Sequence, residues 1–411
     1  MAASIAVNPP LPSKPPHPLR DANFRLLWAG ATISLFGDQF YLVALPWVIL
    51  QLTGSAVAMG TVMMLAGIPR AVLMLLGGVV SDRFSSRKIM MSTASARTVF
   101  VAAIAALLWF HVLHLWHVYL LALAFGTADA FYYPASSAFL PSLVKKEQLL
   151  AANSVFQSSA QITTIAAPAP AGLVIKALGT ASAFLIDAVS FLFIIGALWK
   201  LPDPPQAIPA AKKPPVWRSI REGLSHVYRD TPLRSFFVLA AVLNFCLTGP
   251  MIVGLAYLTK QKFGSPAYFG IAISSLAAGG LAGAVLAGVW KPRRRGVLLL
   301  SACAMIALCL GSIGLLNHLW PICGALVLMG ISSGLANINI ISWVQQRVET
   351  AILGRVMSVL MFLSLGLIPV SMAVSGVLAQ WNLKWMYLLA ASAMLLAISA
   401  GALQKPVRDI E

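Results

Sequence analysis

The chain has 411 residues, 59% of them hydrophobic and only 10% charged, against roughly a quarter charged in a soluble domain, so this composition calls for lipid as its solvent. A formal net charge of +17 would suggest nucleic acid in a soluble protein, but the basic residues stand in short gaps between long apolar runs and read as topology signals, so no nucleic-acid partner is expected. The sequence carries no glycine-rich nucleotide loop, His-Glu-x-x-His run or nucleophile elbow, which argues against an enzyme, an ATP-driven pump and a bound cofactor.

In chain order, residues 1–23 form a proline-rich tail without the apolar centre of a secretory signal, expected to lie in the cytoplasm. Segments of about twenty mainly apolar residues then recur at 24–51, 55–81, 88–110, 116–140, 148–176 and 181–200, and again at 234–259, 266–290, 296–316, 319–343, 353–378 and 383–403. Backbone groups in lipid must be satisfied within each segment, so these are read as helices. The expected architecture is an all-α membrane protein of twelve transmembrane helices in two pseudo-symmetric six-helix bundles, 24–200 and 234–404, with a second short cytoplasmic tail at 405–411.

The polar interval 201–233 opens on Leu201-Pro202-Asp203-Pro204-Pro205 and then places Trp217, Ile220, Leu224, Val227 and Tyr228 on one helical face, with Arg218, Arg221, Ser225 and Arg229 on the other. A basic amphipathic helix of this kind fits the cytoplasmic lipid surface, where it ties the two bundles together. With both termini inside, the cytoplasmic stretches hold twenty-three of the 29 Lys and Arg residues. The outer loops hold Lys176, Lys260, Lys262 and Lys384, and Arg70 and Arg97 fall within spans.

Carboxylates at bilayer depth cost roughly 2.5–3.5 kcal/mol each at a helix centre unless a cavity or partner receives them, so they default to functional candidates. Asp38, beside Gln39 in the first span, has two readings: a proton-coupling or substrate-contact residue, or a fixed ion pair with Arg70 or Arg97. Arg70 follows Pro69 in the second span and is read as a counter-ion for Asp38 or an anchor for an anionic cargo group. Asp129 lies in the fourth span near Tyr132 and Tyr133. Asp187 in the sixth span is a secondary candidate with packing or capping as its plainer role, and Arg97, nearer the cytoplasmic end of the third, has the option of snorkelling. His111, His114 and His117, flanked by Trp109 and Trp116, read as interfacial anchors ahead of a metal site, and Cys246, Cys303, Cys309 and Cys323 as small packing residues.

The loop after the second span, Gly78-x-x-x-Asp82-Arg83-x-x-x-Arg87-Lys88, resembles the signature of the major facilitator superfamily, with Ser85 and Ser86 where that family usually has a second glycine. Phe36-Gly37-Asp38, Leu52-Thr53-Gly54-Ser55-Ala56, Tyr133-Pro134-Ala135, Ala152-Asn153-Ser154, Ile186-Asp187-Ala188-Val189-Ser190-Phe191, Ile220-Arg221-Glu222-Gly223-Leu224 and Gly354-Arg355-Val356-Met357-Ser358 are similar to stretches of the branch that holds macrolide efflux proteins and the enterobactin exporter. Two features depart from the pattern: the fifth-span antiporter motif reads Ala167-Pro168-Ala169-Pro170-Ala171-Gly172, and the fourth span lacks a buried arginine.

The resemblance implies that spans one, four, seven and ten line a central path, which adds Asn244, Asn337 and Asn339 to the polar candidates, and that Gly78, Asp82, Arg83, Arg87 and Lys88 form a cytoplasmic gate able to pair across the two halves. It also implies a monomeric secondary transporter of the cytoplasmic (inner) membrane that works by alternating access, with protons, a small amphiphilic solute and the bilayer as partners. Export by proton antiport is the leading expectation. A lipid or lysolipid flippase, a proton-coupled uptake symporter and a non-transporting receptor or scaffold are the competing ones.

Overall fold

The computed structural model describes residues 17–203, 216–289, 295–349, 352–353, 356–357, 359 and 366–403. The first helix, α1 (Ala22–Thr53), begins where the Asp21 carboxylate accepts hydrogen bonds from the Asn23 and Phe24 N–H groups, meeting the orphan donors of a helix start. It ends at Gly54, whose φ of 65° turns the chain back into α2 (Ala56–Arg83). Thirty-two residues give α1 a length of about 48 Å at 1.5 Å per residue, well beyond the hydrocarbon core of a bilayer. There follow α3 (Ser86–Trp109), α4 (Leu115–Leu143), α5 (Leu149–Ala166), α6 (Pro168–Leu178) and α7 (Thr180–Lys200).

After the linker helix α8 (Val216–Arg229) come α9 (Thr231–Gly249), a π turn at Pro250–Gly254, α10 (Leu255–Phe263), α11 (Pro266–Val289), α12 (Arg295–Leu315) and α13 (Leu319–Arg347). The last two are α14 (Ile368–Trp381) and α15 (Leu383–Ala402). Among the described residues, nine helices are long and apolar enough to cross a membrane, the α9–α10 run taken as one, and ten if the bent α5–α6 pair is a single span. The predicted fourth span corresponds to α4, and of the predicted eleventh, 353–378, the helix Ile368–Trp381 is described while 354–355, 358 and 360–365 lie outside the described residues.

Proline explains both interruptions. Pro168 has no N–H to bond the preceding turn, and the chain bends by 42° between α5 and α6. In the seventh predicted span Pro250 opens the π turn, and side chains cover the polar groups around it: Ser371 Oγ donates to Phe245 O at 2.5 Å and accepts from Gly249 N–H at 2.9 Å, and Tyr387 donates to Pro250 O at 3.2 Å.

α1 packs along α7, α2 along α4, and α3 against both α4 and α7, while α11, α12, α13 and α15 pack in a second group with α9. The two groups meet mainly where α2 lies on α14 and α6 on α11. Hydrogen bonds tie them together toward the end that carries the Gly54 and Gly264 turns: Ala56 N–H donates to Gln380 Oε1 at 2.8 Å, Ala169 N–H to Ser274 Oγ at 3.2 Å, and the Lys260 ammonium to the Leu50 carbonyl.

The opposite end carries the basic loops. Arg87 donates to the Leu198 and Trp199 carbonyls (2.6 and 2.8 Å), where a cation complements the exposed C-terminal carbonyls of α7. Lys88 stands 3.9 Å from Asp203, which also accepts from the Ser85 hydroxyl. These contacts run within the first half and to Asp203 at the start of the linker. Arg83 is exposed; Gly78 and Asp82 fall within α2, but their surroundings lie outside the described residues.

α8 forms where the amphipathic pattern places it, yet its apolar face is divided. Val227 is buried with Phe236, Trp343 and Val344 of α9 and α13, whereas Leu224 and Tyr228 stay exposed. The side chains of Trp217 and Ile220 lie outside the described residues.

Candidate functional site

Four charged side chains from four helices join in one chain inside the first half. Arg97 of α3 donates to Asp38 Oδ1 of α1 at 2.5 Å, and its second terminal nitrogen lies 3.8 Å from Asp129 of α4. Arg70 of α2 reaches the other oxygen of Asp129 at 3.1 Å. The sequence offered Arg70 or Arg97 as the counter-ion of Asp38; the structure gives that place to Arg97 and sets Arg70 against Asp129. It also removes the snorkelling option for Arg97, which is buried rather than extended to an interface. A cation so placed needs more than one partner to offset its desolvation. Besides the two carboxylates, aromatic faces surround its guanidinium: ring centroids of Phe191, Phe125 and Tyr132 lie 4.4, 4.7 and 5.4 Å from Cζ.

The Asp129–Arg70 end of this chain opens onto a cavity of about 330 Å³ whose walls include these two residues together with Tyr41, Met63, Met74, Phe125, Pro369 and Met372. Tyr41 stacks on Phe125 at 4.5 Å with an 11° interplanar angle, giving the wall a flat aromatic face. Because α14 supplies Ile368, Pro369 and Met372, the cavity lies between the two halves. Its lining is mostly apolar with one ion pair at its edge, the usual make-up of a pocket for an amphiphilic organic molecule.

Asp187 of α7 is fully buried, and neither of its carboxylate oxygens has a hydrogen-bond partner among the described residues. The neighbouring Ser190 hydroxyl donates instead to the Asp187 backbone carbonyl at 2.8 Å. Gly37, the residue before Asp38, makes the approach of α1 to this point feasible: a Cβ there would stand 2.0 Å from Ser190 Oγ and 2.9 Å from Asp187 Oδ1. Gln39 Oε1 is likewise buried without a partner among the described residues.

The asparagines expected to line the second half are not brought to this cluster. Asn244 and Asn339 donate to the carbonyls four residues earlier in their own helices, at 3.1 and 2.8 Å, and Asn337 is exposed. His117 caps α4 by accepting from the His114 N–H at 3.0 Å, and the four cysteines are buried and unpaired. Sequence reasoning passed over Tyr41 and Phe125, and quoted Gly37 and Phe191 as parts of the resemblance without giving them a role at the site. Their signal was positional: Tyr41 follows Asp38 by three residues, Phe125 precedes Asp129 by four and Phe191 follows Asp187 by four, spacings that place each pair on one helical face.

Residues 27–369 match the family model described as Major Facilitator Superfamily. The chain belongs to that superfamily. It is 25% identical over 368 residues to "Macrolide efflux protein A" of Streptococcus pyogenes, covering 87% of this chain and 89% of that one. It is 30% identical over 282 residues to "Multidrug efflux pump Tap" of Mycolicibacterium fortuitum, covering 64% of each. Among solved structures, a mutant of the nucleoside transporter NupG superposes with a TM-score of 0.77 at 14% identity, covering 92% of this chain and 98% of the other. A bacterial homologue of the iron transporter ferroportin gives 0.71 at 16% identity, covering 92% and 97%. The chain is thus a membrane transporter of this superfamily and has the fold these structures share.

Proposed function

We propose that this member of the superfamily is a secondary active exporter that exchanges protons for a small amphiphilic organic solute, sitting in a cytoplasmic (inner) membrane with both termini inside. The observation that carries the reading is the Asp38–Arg97–Asp129–Arg70 chain at the edge of an apolar cavity between the halves. Ionisable groups at bilayer depth are costly to insert, and in transporters they mark proton and substrate paths. The efflux proteins named above support the direction.

The helices are tied across the halves toward the end with the Gly54 and Gly264 turns, which this topology puts outside. The state described is therefore read as closed to the outside. Movement of the halves about the cavity then exposes the site to the other face, and protonation selects between the two arrangements by its differential affinity for them.

The test uses purified protein in proteoliposomes with ethidium as a lipophilic cationic probe. An imposed proton gradient is expected to drive ethidium transport by the wild-type protein. Asp38→Asn is expected to lower the coupled rate at least tenfold while the protein still folds. Unchanged coupled transport in that variant removes Asp38 from the coupling step, and transport by the wild type without any gradient dependence removes proton antiport altogether.

A further inference from the structure

Two buried groups without partners stand on packed neighbouring helices, α3 and α7. Arg97 Nε–H has no acceptor and both Asp187 oxygens have no donor among the described residues. The Arg97 guanidinium already rests on the face of α7, 4.4 Å from the Phe191 centroid, and Phe191 lies one helical turn after Asp187 on that face. A donor and an acceptor on packed helices, each without a partner among the described residues, supply the two halves of an ion pair that the present arrangement does not form.

Counting charge sharpens this. With every group ionised, Asp38, Asp129 and Asp187 against Arg70 and Arg97 leave one uncompensated negative charge at bilayer depth, and Asp187 is the carboxylate no cation touches. The groups facing it from the helices packed on α7 are Asp38 and Tyr41 of α1 and Arg97 of α3; Tyr41 packs edge-on against Phe184, one turn before Asp187. The one charged residue of α6, Lys176, is exposed.

We propose that Asp187 is a proton-binding site and that Arg97 is a two-position switch between Asp38 and Asp187. In the described arrangement Asp187 carries the proton and Arg97 holds the Asp38 carboxylate. In the alternative arrangement Arg97 pairs with the Asp187 carboxylate, and the proton released from Asp187 passes to Asp38, the carboxylate Arg97 has left. One O–H bond breaks and one forms, and the cluster stays neutral through this internal transfer, so the switch itself strands no net charge in the low-dielectric interior. Asp38 is the more accessible side of the switch, its side chain being 28% exposed while Asp187 is fully buried, and exchange with water is assigned to it. This inference rests on the proton-coupled reading for its purpose, but the proton's location is measurable without any cargo.

The experiment is infrared difference spectroscopy of the full-length protein in lipid vesicles at neutral pH, with and without carbon-13 label in the aspartate carboxyl groups. The wild type is expected to show a protonated-carboxyl C=O band that shifts with the label, a result that needs no variant to fold. In Asp187→Glu the band should remain but no longer respond to the aspartate label. In Asp38→Asn, where Arg97 is free to turn to Asp187, the band should fall to less than half. A wild type without the band, a label-sensitive band that survives Asp187→Glu, or an undiminished band in Asp38→Asn each overturns the proposal. Absence of ethidium transport with these bands intact would fault the transport reading alone.

Discussion

At the level of single residues, Arg97 is the group on which the site depends. It is the shared partner of Asp38 and Asp129 and is sheathed by three aromatic rings. Removing one member of a buried ion pair leaves its partner uncompensated, at a cost of about 3–5 kcal/mol. Arg97→Met should therefore lower the unfolding temperature in detergent markedly, and adding Asp38→Asn should recover part of that loss, because the orphaned carboxylate is then neutral. Equal destabilisation in the single and double variants would mean that the pair does not hold α1 to α3. That Asp38, Asp129, Arg70 and Arg97 lie within apolar helices and need partners there was legible from the sequence, since charges are conspicuous in apolar runs. Which acid meets which base was not, because it depends on the rotation of four helices about their axes.

A second residue-level expectation concerns Asp230, which precedes α9. Partial burial opposes its charged form, but hydrogen bonds from the Arg347 guanidinium (2.9 and 3.2 Å) and the Leu233 N–H outweigh that and hold the carboxyl below the ordinary carboxylate value. A depressed carboxylate stabilises the fold above the ordinary value of about 3.9, and that stabilisation is lost as pH falls through the lower, folded-state value. Asp230→Asn should flatten the acid limb of a plot of unfolding temperature against pH. An acid limb identical to that of the wild type would show that the Arg347 pair contributes nothing.

At the scale of elements, the helices were legible because lipid imposes about twenty apolar residues on each crossing and because Gly54 and Gly264 punctuate the turns. The tilts and breaks were less so. The Pro168 bend places Ala169 N–H on Ser274 Oγ of the other half, and the π turn at Pro250 depends on Ser371 and Tyr387, residues more than a hundred positions away. The amphipathic pattern of α8 predicted the helix but not the burial of Val227, since α9 and α13 provide that contact. Two inter-half bonds admit a direct test at this scale: the Lys260 ammonium on the Leu50 carbonyl and the Ala56 N–H on Gln380. Replacing Lys260 with Met and Gln380 with Leu should raise the labelling rate of a cysteine introduced at Thr53 by a membrane-impermeant maleimide several-fold. An unchanged rate would show that these bonds do not hold the outer ends together.

At the scale of the whole molecule, two helical groups share a cavity, and the charge chain at its edge belongs entirely to the first group, although the family resemblance implied polar residues from both. The second group contributes apolar wall from α14, and its Asn244 and Asn339 donate to their own helix backbone. That asymmetry suits a division of labour in which the first half senses protonation and the second supplies a surface to move against. The account's central claim is that the Asp38–Arg97 pair sets which end of the cavity is closed. Electron spin resonance distances between labels at Leu52→Cys and Trp381→Cys, in lipid and in a background without the four native cysteines, test it directly. The wild type should show mainly a short distance and Asp38→Asn a grown long-distance component; superimposable distributions in the two proteins would contradict the claim.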